Sequence, residues 1–485
     1  LSLNNYEVVI GLEVHVELIT VSKMFCGCPN EPGAPPNTLT CPTCLGLPGA
    51  LPVINQRAVE LTALTGLALN CEIDQFTRFD RKNYFYPDLL KGYQISQYLH
   101  PICRDGYLEL NDAGLSRRVR IKRVHLEEDT AKSTHRANPA SGQSETLIDA
   151  NRAGVPLIEI VGEPDLHSPE QARQYLLALH EIVQYLGVST ANLEEGTFRV
   201  DANVSVRRHG ETALGTKVEI KNMNSFRAVY RALSYEAERQ SAALERGERI
   251  VQETRGWSEN QGATLSQRSK EHAHDYRYFP EPDLPPLALT PDWVNRVRAR
   301  LAELPAQRRA RFIEQYALSP YDAEVLTGSR AIAEYFEEAA RLCPQPKVVA
   351  NWLTSELFRL LNARNQTISD SKVRPSDVAD LLALIEKGTI SARTAKEVFE
   401  EMFQTGASAA DIVARKGLNQ ISDTAELERL VGEAVAANPK SVADYRAGKA
   451  QAIGFLVGQV MKASQGKANP GVVNDLLRAK LDRAD

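Results

Sequence analysis

The sequence predicts an α+β chain: an N-terminal, cradle-like part built on antiparallel sheet, then two all-α segments. Three observations predict it. Up to about residue 290, short segments alternate apolar and polar residues. A Pro-rich stretch, Pro280-Glu281-Pro282-Asp283-Leu284-Pro285-Pro286, then interrupts the pattern and reads as a linker. Beyond it apolar residues recur every three or four positions, as in Leu353, Leu357, Leu360 and Leu361.

Tyr6 to Leu18 is the first strand. Leu12, Val14, Val16 and Leu18 face one way; Glu13, His15 and Glu17 face the other. One such strand is ordinary, but the pattern recurs. Val124 to Asp129 presents His125, Glu127, Glu128 and Asp129. Phe198 to Arg207 presents Arg199, Asp201, Asn203 and Ser205 opposite four small apolar residues. Lys217, Glu219 and Lys221 alternate with Val218 and Ile220. Two helices break up the strands, Ser168 to Leu186 and Ser225 to Arg246. Ser168 reads as an N-cap with Pro169 at the first helical position. A weaker break falls at Gly406 to Ser408. The last helices, Tyr445 to Leu481, are interrupted by Gly466 and by Asn469-Pro470-Gly471. The expected segments are 1–292, 293–406 and 407–485.

The 485 residues are 43% hydrophobic and 25% charged, as in ordinary globular chains. No apolar run is long enough to span a bilayer, and Leu1 to Tyr6 has no leader pattern, so the expected compartment is the cytoplasm. A net charge of −5 argues against generic nucleic-acid binding, but not against reading a particular RNA by shape.

Cys26-Gly27-Cys28 and Cys41-Pro42-Thr43-Cys44 are two thiol pairs at a spacing that can close a tetrahedral zinc site. Four cysteines fill the shell, which favours structural over catalytic zinc. Free thiols, or a redox pair at Cys41 and Cys44, are the alternatives.

If the acidic strands share a sheet, their polar faces line one surface of carboxylates, a histidine and cations. Carboxylate oxygens bind Mg²⁺, which bridges phosphates, and Lys or Arg steadies a transferring phosphoryl group. Glu13, Asp201, Glu219 and Lys221 are candidates for such a site. Alternation favours Glu127 over Glu128 for this face, unless a bulge reverses the choice. No Walker or kinase phosphate loop is present. The alternative is a non-catalytic, zinc-containing RNA-binding scaffold; a zinc hydrolase built on His15 with Glu13 or Glu17 is a third reading.

The ordered motifs Gly11-Leu12-Glu13-Val14-His15-Val16-Glu17-Leu18, Phe79-Asp80-Arg81-Lys82-Asn83-Tyr84-Phe85-Tyr86-Pro87-Asp88, His125-Leu126-Glu127-Glu128-Asp129, Asp149-Ala150-Asn151-Arg152-Ala153-Gly154-Val155-Pro156-Leu157-Ile158-Glu159 and Lys221-Asn222-Met223-Asn224-Ser225-Phe226 are specific. Through them the chain closely resembles the B subunits of the bacterial-type aspartyl/glutamyl-tRNA amidotransferases. The resemblance implies a cradle-shaped catalytic domain, a helical domain and a tail resembling the YqeY proteins. It implies ATP- and Mg²⁺-dependent phosphorylation of the side-chain carboxylate of Glu-tRNA(Gln) or Asp-tRNA(Asn). Ammonia from a glutaminase A subunit then displaces the phosphate, and a small C subunit clasps the two. By match to the family, His15 and Glu128 would bind Mg²⁺, and the four cysteines a structural Zn²⁺. The tail would touch tRNA, with Lys449, Lys462 and Lys467 as candidate phosphate contacts.

Overall fold

The computed structural model describes residues 5–112, 115–139, 141–269, 275–418, 424–464 and 467–482; Gly466 lies outside them. Two compact units result, Leu1–Leu304 and Pro305–Asp485.

The first unit runs β1 (Tyr6–Glu17), α1 (Gln56–Ala68), β2 (Glu72–Ile73), β3 (Phe76–Thr77), β4 (Asp80–Asn83), β5 (Tyr93–Ser96), β6 (Cys103–Asp112), β7 (Leu115–Glu128), β8 (Lys132–Ala137), β9 (Ser144–Asp149) and β10 (Pro156–Gly162). It continues with α2 (Pro169–Tyr185), β11 (Phe198–Arg208), β12 (Val218–Lys221), α3 (Phe226–Glu245), β13 (Glu253–Ser258), β14 (Ala263–Ser269), β15 (Phe279–Pro280), β16 (Leu287–Ala288) and α4 (Pro291–Arg298). Nine strands form one sheet in the order β14-β13-β12-β11-β1-β10-β7-β6-β2. Every pairing in it is antiparallel except β12 with β13.

The strand period of two decides which face is covered. Ile10, Leu12, Val14 and Val16 of β1, Val200, Ala202 and Val204 of β11, and Val124 and Leu126 of β7 are buried in one core. Leu176 and Leu179 of α2 and Val229 and Leu233 of α3 complete that core. Each Val, Leu or Ile among them contributes about 1.5–3 kcal/mol on burial. Helix starts follow the sequence signals: Ser168 accepts a hydrogen bond from the Gln171 amide with Pro169 in the first turn, and Ser225 accepts from Ala228. The helices cover one face of the sheet, and the alternating polar residues are left on the other.

The Pro-rich stretch is not a linker. Phe279 and Pro280 pair with β4, and Leu287 and Ala288 pair with β3. Buried Glu281 accepts from Arg81 at 2.7 and 2.8 Å, and Leu284 and Leu289 enter the core. Proline excludes helix here, but the strand returns across the first unit and is held by this ion pair. Val297 of α4 also packs in that core.

In the second unit, helices from Pro305–Tyr316 to Ala409–Lys416 share one core, which includes Phe312, Phe336, Phe399 and Ile412. Gly406 ends the helix Ala392–Thr405 in the left-handed conformation, φ 75°, yet the next helix still packs in the same core. A separate core gathers Leu427, Val431, Leu456, Val460, Val473 and Leu477.

Candidate active site and cysteine centre

Register brings the polar residues of five strands into rows. His15 of β1 stands opposite Arg199 of β11 and Glu159 of β10, and Glu159 stands opposite His125 of β7. One step along, Glu13 faces Asp201. Asn203 faces Glu219 of β12.

Two linked clusters result. In the first, His15 Nε2 lies 3.5 Å from Glu159 Oε2 and 3.9 Å from Glu127 Oε1. His125 Nε2 lies 3.4 Å from Glu159 Oε2 and 3.7 Å from Glu127 Oε2. Burial disfavours the charged imidazole of His15, but the hydrogen bond and charge of Glu159, with Glu127, outweigh it and hold its pKa above the ordinary value. Burial likewise acts against ionised Glu159, yet the two histidines hold it well below the usual carboxylate range.

In the second cluster, the Lys221 ammonium contacts Asp201 Oδ2 and lies 3.3 Å from Glu219 Oε1. Thr254 donates to Glu219 Oε2 at 2.7 Å, and Asn203 donates to Glu13 Oε1 at 3.2 Å. Burial, then the charges of Glu159, Asp201 and Glu219, push the Glu13 carboxyl up. Burial works against the Lys221 ammonium, but Asp201 and Glu219 raise its pKa and keep it charged. A cleft of about 1140 Å³ reaches Lys221 and Thr254, with Tyr84, Tyr276 and Phe279 along its walls.

The His15, Glu127 and Glu159 ligand atoms all lie within 4.8 Å of one another. Two carboxylates are the oxygen donors that Mg²⁺ takes, and the site thus fits the ion; the imidazole is the less usual member.

Glu128 is elsewhere. Its carboxylate contacts the Lys91 ammonium and accepts from the Ile95 amide at 2.9 Å. The one register shift between β7 and β10 falls at Val161 and Gly162, so it does not reverse the choice between Glu127 and Glu128. Strand alternation therefore separates Glu128 from His15.

Sequence reasoning left out Glu159 and Lys82. Glu159 is a lone carboxylate between Ile158 and Ile160 in an otherwise apolar strand, and that was its signal. Lys82 comes from the small sheet of β4, β5 and β15, which no periodicity ties to Glu127. Burial disfavours its charge, but Glu127, Tyr278 and Glu159 raise its pKa. Arg199 forms a third group with Asp129 Oδ2, at 2.7 Å. Burial, then Asp129, push the Glu17 carboxyl up to about 8.

The four cysteines converge. The sulfurs of Cys26, Cys28, Cys41 and Cys44 lie within 4.8 Å of one another, so the cluster can hold a zinc ion. The Cys41 amide donates to Cys44 Sγ at 3.1 Å. A hydrogen bond from Cys26 holds the Cys44 thiol down, to about 4, a thiolate ready to ligate.

In the second unit, Lys449 is exposed and pairs with Asp444 at 2.9 Å. Lys462 is exposed in the last turn of the helix Ala452–Ala463, and Lys467 is half-buried.

Residues 8–295 match the GatB/GatE catalytic domain and residues 334–481 the GatB domain. The chain belongs to the family of B subunits of the aspartyl/glutamyl-tRNA(Asn/Gln) amidotransferases. It is 55% identical over 479 residues to the family member from Carboxydothermus hydrogenoformans, covering 99% of both chains. The Thermomicrobium roseum protein is 56% identical over 480 residues, again with 99% of each covered. The Moorella thermoacetica protein is 56% identical over 476 residues, 98% of this chain and 100% of that one. Members of this family are ligases, and ATP use is implied by the family. No helix among the described residues is long and apolar enough to cross a membrane.

Proposed function

We infer that this chain is the B subunit of a tRNA-dependent amidotransferase that forms Gln-tRNA(Gln) or Asn-tRNA(Asn), and that the polar sheet face is its carboxylate-activating site. The observation that carries this reading is the Lys221–Asp201–Glu219 group beside the His15–Glu127–Glu159 cluster, opening on an aromatic-walled cleft. A binding scaffold has no need to bury mutually repelling carboxylates, whereas phosphoryl transfer needs charge arranged beforehand.

The side-chain carboxylate of the Glu or Asp carried on tRNA attacks the γ-phosphorus of ATP, and ADP leaves. Ammonia from a glutaminase A subunit then attacks the acyl carbon, and phosphate leaves. Lys221 steadies negative charge on the phosphoryl oxygens, and Asp201 and Glu219 fix its ammonium. Glu13, whose carboxyl burial and then the charge of Glu159 push up, and Lys82 orient the substrate carboxylate. His15, Glu127 and Glu159 would hold Mg²⁺, which when bound would offset the negative charge of the ATP phosphates. Tyr84 and Tyr276 offer π-faces for a base of ATP or of the tRNA end. Zinc at the four cysteines is structural. Lys449, Lys462 and Lys467 contact tRNA phosphates, a C subunit completes the assembly, and the compartment is the cytoplasm.

The test combines this chain with A and C subunits, glutamine and ATP. ADP should form when Glu-tRNA(Gln) or Asp-tRNA(Asn) is supplied, and not with correctly charged Gln-tRNA(Gln). ADP formation that ignores the tRNA, or none at all, would refute the reading.

A further inference from the structure

Lys23 is 1% exposed. A buried ammonium needs opposite charge as well as hydrogen-bond acceptors. Its Nζ donates to Leu39 O at 2.8 Å, to Ala150 O at 3.3 Å and to Cys44 Sγ at 3.7 Å. Among the described residues it forms no ion pair with a carboxylate, so the sulfur is the one partner able to carry negative charge. Zn²⁺ with four thiolates carries a net charge of about −2.

We propose that Lys23 is the buried counter-charge of the four-cysteine centre, and that through it metal binding orders the loop joining β9 to β10. The inference rests on reading the cysteines as a zinc site. The three bonds of this ammonium go to three different places: a metal-ligand sulfur, the segment between the two cysteine pairs, and the loop after β9. Side-chain amides double the connection. Asn37 Oδ1 accepts from the Ala150 amide at 2.8 Å, and Asn151 Oδ1 accepts from the Leu39 amide at 2.8 Å. Gly154 is where the parts meet. At φ +82° it favours glycine, and a Cβ there would stand 3.5 Å from Cys44 Cβ, 3.7 Å from Lys23 Cδ and 3.9 Å from Glu128 Oε2. The Gly154 amide donates to Asp129 O at 2.9 Å, and the Asp129 amide donates to Val155 O at 2.8 Å. The loop so held grips the end of β7, next to Glu127. Lys23 is thus a positioning residue, with no part in the bonds that form and break.

The test compares the full chain with Lys23→Met and Lys23→Arg, by zinc competition against a chromophoric chelator and by the spectrum of the Co²⁺-substituted protein. Lys23→Met should bind zinc about 10- to 100-fold more weakly, as for lost outer partners of a metal site. Its Co²⁺ spectrum should still report four thiolates, and Lys23→Arg should recover part of the affinity. Unchanged affinity in Lys23→Met would overturn the inference. Wild-type protein that takes up no zinc overturns the zinc reading and this inference with it. Hydrogen exchange on the unmodified chain decides the matter if Lys23→Met does not fold. Stripping zinc should speed exchange at both the Leu39 and Ala150 amides and leave β1 unchanged; acceleration confined to residues 26–44 would overturn the coupling.

Discussion

His15 on β1 and Glu159 on β10 are cross-strand partners, with Nε2 3.5 Å from Oε2. The pair joins two histidines to two buried carboxylates, because Glu159 also lies 3.4 Å from His125 Nε2. The carboxylates beside His15 are therefore Glu159 and Glu127, and Glu128 faces Lys91.

Glu159→Gln should lower aminoacyl-tRNA-dependent ADP formation about 10²- to 10³-fold and raise the Mg²⁺ concentration needed for half-maximal rate. Glu128→Gln should leave that Mg²⁺ requirement unchanged. Titrating Mg²⁺ against ADP release with both variants checks the assignment; a raised requirement in Glu128→Gln alone would reverse it.

Lys221→Met removes the cation between Asp201 and Glu219. ADP formation should fall about 10²-fold or more, with Lys221→Arg retaining part of the rate. Circular dichroism should show the sheet intact. A full rate in Lys221→Met would remove the lysine from the account.

Much of this was legible in sequence because strand alternation is a strict rule. Leu12, Val14 and Val16 had to share a face, which put Glu13 and His15 on the other. Glu127 and Asp201 followed by the same argument. The helix starts at Ser168 and Ser225 were legible because capping is local chemistry. Strand order was not, since no local pattern says that β10 inserts between β1 and β7 and so brings Glu159 to His15. Lys82 depended on a small second sheet, and the Pro-rich stretch depended on Arg81, two hundred positions away in the chain, to hold Glu281. Likeness to the family points to Glu128, whereas the pleat of β7 turns its carboxylate away from His15 and towards Lys91.

Glu17 yields a pH dependence. Its carboxyl is raised from 4.5 to about 8, chiefly by burial and then by Asp129. The folded chain therefore holds a proton that the unfolded chain releases, so stability should fall as pH rises between these two values. Asp129, opposed by burial but held low by Arg199 and Arg152, acts only at acid pH, where its contribution is lost as it protonates. Urea midpoints across this range should decline for the wild type and stay flatter for Glu17→Gln. Equal slopes would show that Glu17 is not the titrating group.

Removing zinc with a chelator should lower the thermal midpoint, and Cys28→Ser should do the same. Loss of a metal belongs with the largest single-site effects, about 4 kcal/mol or more. Scanning calorimetry checks this, with recovery expected on adding Zn²⁺ but not Mg²⁺. An unchanged midpoint would leave the cysteines as free thiols.

Isotope transfer tests the central claim most directly. Glu-tRNA(Gln) carrying ¹⁸O in both oxygens of the side-chain carboxylate is amidated by the assembled enzyme with unlabelled ATP. If the carboxylate is phosphorylated before ammonia attacks, one labelled oxygen leaves with the phosphate, so each Gln-tRNA(Gln) formed should be matched by one inorganic phosphate bearing a single ¹⁸O. Gln-tRNA(Gln) formed alongside wholly unlabelled phosphate would contradict the account.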